Sequence, residues 1–316
     1  MTKLSENEII NIFQTKLGNK KFISEDVEEF SLGKTKIIVK TDTMVESTDI
    51  PQKMKLLDAA RKSVIACVSD FASKGVKPRY GIISINLPKS ISKKEIDSIA
   101  NGFKKACKEY KISIIGGDTN EGKEIVFNVC IFGKSKKIVT RKGSNKGDLI
   151  FTTGPFGYTS VGLDILLNNS KKRSYLIKKS LKSVTNPKPR LNYGLKNKKY
   201  FTSSMDSSDG LSTTLNEMSK QSKKKFIINK IPSNRDLETY LKKQKLNLNS
   251  AVFHGGEEYE FVFTIPSKYK KIIFKNSKLL KIPIIEIGYV TLGKGVYLEK
   301  KGEETILKDL GWKHFR

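Results

Sequence analysis

Between residues 53 and 74 the apolar side chains Leu56, Leu57, Ala60, Val64, Cys67, Val68 and Phe71 recur at helical spacing, and Gly75 follows as a plausible left-handed cap. At about 100° per residue Asp70 falls at the edge of that stripe, on the seam between a buried and a solvent face. Ile9, Ile10, Ile12, Phe13 and Leu17 predict a short amphipathic helix over 7–17. Ser92 and Glu95 form a capping box that opens another helix, with Ile96, Ile99, Phe103, Cys107 and Tyr110 on its face. Strands are predicted over 36–45, 80–87, 111–115 ending at Gly116 and Gly117, and 124–133. This order implies a mixed sheet with two helices on one side.

Around 134–147 the chain turns rich in Lys, Ser and Gly, which places a boundary there and divides it into residues 1–137 and 138–316. The second part reads as strand 149–153, a T-G-P-F-G turn, helix 159–167 and strand 200–206. A helix then runs from Asp209 through Leu211, Leu215 and Met218, followed by strands at 225–231, 258–265 and 282–290 and a hairpin over 296–306. The fold class is α/β, of the α+β kind, in two domains.

Composition changes the picture in two ways. The 316 residues are comfortable as two domains, and no apolar run approaches the ~20 residues a membrane span needs. The polar start, Met1 to Glu8, is unlike a signal peptide, so a cytoplasmic location is expected. Cys67, Cys107 and Cys130 are odd in number and set among apolar neighbours, which reads as reduced core residues. The net charge of +28 raises nucleic acid binding. Its carriers are short lysine runs (Lys20 and Lys21, Lys136 and Lys137, Lys171 and Lys172, Lys223 to Lys225) without interleaved aromatics, the pattern of a solvated surface.

Against this basic background seven carboxylates sit in short motifs of small residues: Asp26, Asp42, Asp70, Asp118, Asp206, Asp209 and Glu257. Glycine and serine neighbours let a ligand approach the backbone. Converging acids need protons or cations to neutralise them, and hard oxygen donors suit Mg²⁺ shared with phosphates. A Walker A loop is absent: Gly133, Lys134 and Ser135 imitate its tail, but Asn128 stands where its first glycine belongs. Phosphate binding therefore has to go through metals.

The order and wording of these motifs resemble the thiamine-monophosphate kinases, of the superfamily that includes aminoimidazole ribonucleotide synthetase, selenophosphate synthetase and a hydrogenase maturation protein. The carriers are T-D-T-M-V-E-S-T-D at 41–49, S-D-F-A-S-K-G at 69–75, I-I-G-G-D-T at 114–119, T-R-K-G-S-N-K-G-D at 140–148, T-G-P-F-G at 153–157, P-K-P-R at 187–190, M-D-S-S-D-G-L at 205–211, G-G-E-E-Y-E at 255–260 and G-W-K-H-F at 311–315. The resemblance implies that Asp26, Thr41, Asp42, Asp70, Asp118, Asp206 and Asp209 hold magnesium, with Asp42, Asp118 and Asp206 essential to catalysis. It implies that Gly117, Asp118, Arg141 and Ser208 approach ATP, and that Asp49, Glu257 and Trp312 lie on the thiamine side. It also implies ATP-dependent phosphorylation of thiamine monophosphate, and a homodimer whose first domains combine their sheets into a barrel.

This chain departs from the family pattern at several points. Ser24, Glu25 and Asp26 replace a common G-D-D, Asp49 stands where bacterial relatives often have His, and Glu258 replaces a usual Asp. Lys40 occupies the place of a small hydroxyl beside the metals, and a full metal set there requires its ammonium to point outward. His254 and His314 carry no catalytic role in the pattern and are expected to be structural. Two alternatives remain: an aminoimidazole ribonucleotide synthetase-like enzyme, disfavoured by E-S-T-D and the aromatic tail, and a basic nucleic-acid-binding protein, disfavoured by the intact acid motifs.

Overall fold

The computed structural model describes residues 4–19, 22–168 and 174–313. His314, Phe315, Lys20, Lys21, Lys171 and Lys172 lie outside the described residues. After helix α1 (Glu6–Lys16), strands β1 (Glu28–Leu32), β2 (Thr35–Val45), β3 (Pro78–Pro88), β4 (Ser113–Gly122) and β5 (Val126–Lys134) build a sheet in the order β1-β2-β5-β3-β4. Only β3 and β4 run parallel, because α4 (Lys93–Tyr110) is the crossover between them. The short α2 (Glu46–Asp49) and the long α3 (Leu56–Lys74) link β2 to β3.

A second sheet follows in the order β12-β11-β8-β10-β6-β9-β7. Its strands are β6 (Asp148–Thr152), β7 (Ser203–Ser207), β8 (Lys225–Ile228), β9 (Glu260–Pro266), β10 (Ile285–Thr291), β11 (Gly295–Lys300) and β12 (Glu303–Ile306). Its helices are α5 (Tyr158–Leu167), α6 (Tyr175–Thr185), α7 (Leu191–Asn197), α8 (Leu211–Ser222), α9 (Arg235–Lys243) and α10 (Lys270–Leu280).

Helix α3 is the axis of the molecule. It packs on β2 and β5 of the first sheet, on β7 and β9 of the second, and against α4 and α7. With neighbours on every side, fifteen of its nineteen residues are buried, and Gly75 caps it at φ 64° as the sequence predicts. Asp70 consequently has no solvent seam and is 7% exposed. The main core crosses between the sheets: Val64, Val68 and Phe71 of α3 share it with Ile38, Val129 and Ile131 and with Phe151, Phe261 and Phe263.

The strand expected to stop at Gly116 and Gly117 runs on to Gly122. β3 continues beside it in register, with Ile83 opposite Gly117, and a Cβ on Gly117 would lie 1.8 Å from the Ile83 carbonyl oxygen. The close approach that demands glycine here is made by the neighbouring strand.

Candidate active site

Strand alternation decides what β2 offers. Ile38, Lys40, Asp42 and Met44 share one face, and the burial of Ile38 and Met44 identifies it as the face under α3. Thr41 and Thr43 are exposed on the other. On the α3 side Lys40 Nζ lies 2.9 Å from Asp70 Oδ2 and 3.9 Å from Asp42 Oδ2. Burial alone lowers an ammonium's pKa, but Asp70 and Asp42 outweigh it and hold Lys40 firmly protonated. The outward ammonium that a full metal set would require is not what the structure has, because the acids lie inward and the charge follows them.

Asp26 is saturated by partners. Arg141 Nε donates to its Oδ1 at 2.8 Å, while Ser73 Oγ at 2.7 Å and the Asp206 amide at 3.0 Å donate to Oδ2. Lys74 Nζ stands 3.1 Å from Asp26 and 2.7 Å from Glu25. Burial works to raise the Asp26 carboxyl, and Lys74 and Arg141 overcome it and hold it well below the usual carboxylate range. Arg141 also donates from Nη1 to Ser24 Oγ at 3.0 Å, so the replaced G-D-D segment grips this guanidinium.

Asp206 has the opposite environment. It is 4% exposed in β7, and the only side chain donating to its carboxylate among the described residues is the Ser69 hydroxyl. Burial, then repulsion from Asp70, push its carboxyl well above the ordinary value. Asp70 is raised by burial and by Asp26 and Asp42 against the pull of Lys40, and Asp42 is raised chiefly by burial. Asp42 and Asp70 share the single ammonium of Lys40, and Asp206 has no cation within salt-bridge distance among the described residues.

Past β7 the chain turns through Ser208, Asp209 and Gly210, the last at φ 111°. The Glu257 amide donates to Ser208 O at 2.6 Å and the Trp312 amide to Asp209 O at 2.9 Å, so two of the three thiamine-side candidates are tied to this turn. A Cβ on Gly311 would fall 2.2 Å from Asp209 O, which is why the tail can lie so close. Trp312 itself is 57% exposed. Glu257 pairs with the wholly buried Lys62 through Oε1, and its Oε2 is buried without a hydrogen-bond partner among the described residues. Tyr259 lies beneath, its phenol raised first by burial and then by Glu257, Asp42, Asp206 and Asp49. Asp49 Oδ2 accepts from the Val45 amide at 2.7 Å. His254 meets Ser212 Oγ at 3.1 Å.

Asp118 and Thr41 are not brought to this group. Across the sheet Asp118 aligns with Ser84, Asn128 and Thr43, whereas Asp42 aligns with Val129, Ile83 and Gly117. Paired residues point to one face, so Asp118 lies on the side turned away from α3, exposed and accepting from Asn120 Nδ2 at 2.9 Å. Among the described residues no three His, Cys, Asp or Glu side chains close on one point as a metal cage. Paired carboxylates with open positions are the donor set that Mg²⁺ takes when phosphates and water complete its shell.

A thiamine-monophosphate kinase of Nitrosopumilus maritimus is 66% identical over the whole of both chains. The chain belongs to the thiamine-monophosphate kinase family. A family member from Pyrococcus horikoshii is 32% identical over all of this chain and 98% of its own. Residues 25–135 match the N-terminal domain of AIR synthase related proteins. A solved structure described as AaThiL complexed with AMPPCP and TMP superposes with a TM-score of 0.89 at 27% identity, covering 100% of this chain and 99% of its own. The hydrogenase maturation protein HypE shares the fold at 17% identity, with a TM-score of 0.71 over 92% of each chain.

Sequence reasoning missed three residues of the site. Lys62 and Lys74 are fully buried cations on α3, and Ser69 is the hydroxyl that meets Asp206. Their signal was available: two lysines inside an apolar helix must find carboxylates, since a buried ammonium without one is costly.

Proposed function

We infer that this chain transfers the γ-phosphoryl group of ATP to thiamine monophosphate, giving ADP and thiamine diphosphate. The observation that carries the reading is the single turn after β7, where Ser208, Asp209, Glu257 and Trp312 meet next to the cation-poor acid Asp206. An oxygen of the acceptor phosphate attacks the γ-phosphorus in line, that P–O bond forms, and the bond to the oxygen bridging to the β-phosphorus breaks, leaving ADP. A phosphate monoester has its second pKa near ~6, so the attacking oxygen is already anionic at neutral pH and needs no side-chain base.

Mg²⁺ fits the side of Asp206 and Asp209, since a buried carboxylate repelled by its neighbours and without a cation needs one, and when bound it would neutralise charge on the phosphates. Asp26 serves this set by orienting the Asp206 strand and Arg141, whose guanidinium carries five N–H donors and so has more to offer a phosphate than those turned to Asp26 and Ser24. Glu257 Oε2, without a hydrogen-bond partner among the described residues, offers an acceptor to the aminopyrimidine, and Trp312 an indole face to the cationic thiazolium; Asp49, at the end of α2, is the third residue of the thiamine side.

The same reading includes a homodimer joined through the first sheets, a division at residues 137 and 138, and a cytoplasmic location. Support for the dimer comes from the face turned away from α3, where Tyr80 is 53% and Ile82 36% exposed. On that face Thr41 and Asp118 of one copy reach the nucleotide bound at the other, with Gly117 next to Asp118 on the same strand. No helix among the described residues is long and apolar enough to cross a membrane. The test is ADP release that depends on thiamine monophosphate: release that ignores the acceptor, or none with Mg-ATP and acceptor both present, contradicts the reading.

A further inference from the structure

Lys40 carries a fixed positive charge into the place where two acids face one another. Its Nζ is 2.9 Å from Asp70 Oδ2 on α3 and 3.9 Å from Asp42 Oδ2 on its own strand. Its side chain is 26% exposed against 10% for Asp70, so the lysine is the more solvent-facing member of the pair. Leaving that position would strand a buried negative charge, which holds the lysine where it is.

The other acids are provided for differently. Asp26 has Lys74 and Arg141, while Asp206 has a hydroxyl and no cation within salt-bridge distance among the described residues. A divalent ion between Asp42 and Asp70 would sit ~2.1 Å from each oxygen it bound. An ion on that Asp70 oxygen would stand no more than about 5 Å from an ammonium 2.9 Å from the same oxygen, and two like charges so close in a buried place repel.

We propose that Lys40 is a resident cation that takes the place of one magnesium ion between Asp42 and Asp70, so that metal gathers on the Asp206 and Asp209 side alone. The proposal rests on the kinase reading above. The ammonium brings one positive charge where a magnesium ion would bring two, and three donors directed at oxygens in place of an octahedral shell. The protein thereby holds Asp42 and Asp70 in place before any metal arrives, and its demand for free metal falls.

Counting bound Mn²⁺ by the loss of the free-ion electron paramagnetic resonance signal, with AMPPCP present, separates the outcomes. Lys40→Gln and Lys40→Ser should each bind one more equivalent of Mn²⁺ per chain than the wild type, and Lys40→Arg the same number. The neutral variants should also melt lower without metal and gain more from added Mn²⁺ than the wild type; folding only with metal present is the extreme form of that result. A purely structural ion pair would lower the metal-free melting point and leave the count unchanged, and that result overturns the proposal. Neutral variants that stay unfolded when metal is added overturn it too. A wild type that binds no Mn²⁺ overturns the magnesium reading together with this one.

Discussion

The backbone amide of Asp206 donates to the Asp26 carboxylate at 3.0 Å, so an acid from the start of the first sheet holds an acid of the second in place. Their contrasting surroundings predict contrasting variants. Asp26→Ala leaves Lys74 and Arg141 without their shared partner and should cost about 3 kcal/mol in urea unfolding, since breaking a buried pair strands a charge. Asp206→Asn keeps an acceptor for Ser69 and relieves repulsion from Asp70, so the metal-free protein should be no less stable. The same change should lower turnover ~10²-fold or more, as loss of one electrostatic stabiliser does.

Asp42 and Asp118 lie on opposite faces of one sheet, which turns the dimer into a testable matter. Asp42→Asn and Asp118→Asn should each abolish turnover alone. Unfolded and refolded together in equal amounts, they should recover about a quarter of wild-type activity, because half the dimers pair unlike chains and each such dimer holds one intact site. No recovery in verified mixed dimers would place both acids in one chain's site.

Glu258 supplies a pH dependence unrelated to the metals. Burial comes first among the causes that push its carboxyl up to about 8 from 4.5, with Glu260 adding to it against hydrogen bonds from Gly157 and Thr159. The folded protein keeps a proton that the unfolded chain releases, so this group's contribution to stability falls as pH rises from about 4.5 to about 8 and then levels. Glu258→Gln should flatten that part of the profile. Urea midpoints measured across the range would show the variant overtaking the wild type at the alkaline end; parallel curves would refute the assignment.

Trp312 is the only tryptophan and is 57% exposed, with its backbone fixed to Asp209. Thiamine monophosphate should change its fluorescence saturably and ATP much less. Trp312→Ala should raise KM for thiamine monophosphate well above any effect on KM for ATP. An unchanged KM for thiamine monophosphate would make the residue a structural anchor of the tail.

Periodicity made α3, α4, β2, β3, β5 and the start of β4 legible, because long elements repeat their signal and Gly75 and the Ser92–Glu95 box mark ends. Helix α9 escaped because it buries only Leu237 and Leu241, and strand β1 because its residues are all exposed. Asp70 was placed on a solvent seam because one stripe of α3 cannot reveal that a second sheet covers the other side. The acids were legible from their small neighbours, but the faces they occupy depend on register. The β4 bulge near Ile115, which decides the side on which Asp118 lies, has no sequence mark.

The most direct measurement is the ³¹P spectrum of a reaction holding the protein, Mg-ATP and thiamine monophosphate. The monoester resonance should give way to the two coupled resonances of a diphosphate ester as the γ-phosphate of ATP disappears in equal amount. Loss of the γ-phosphate to inorganic phosphate, with the monoester resonance unchanged, would contradict the kinase account.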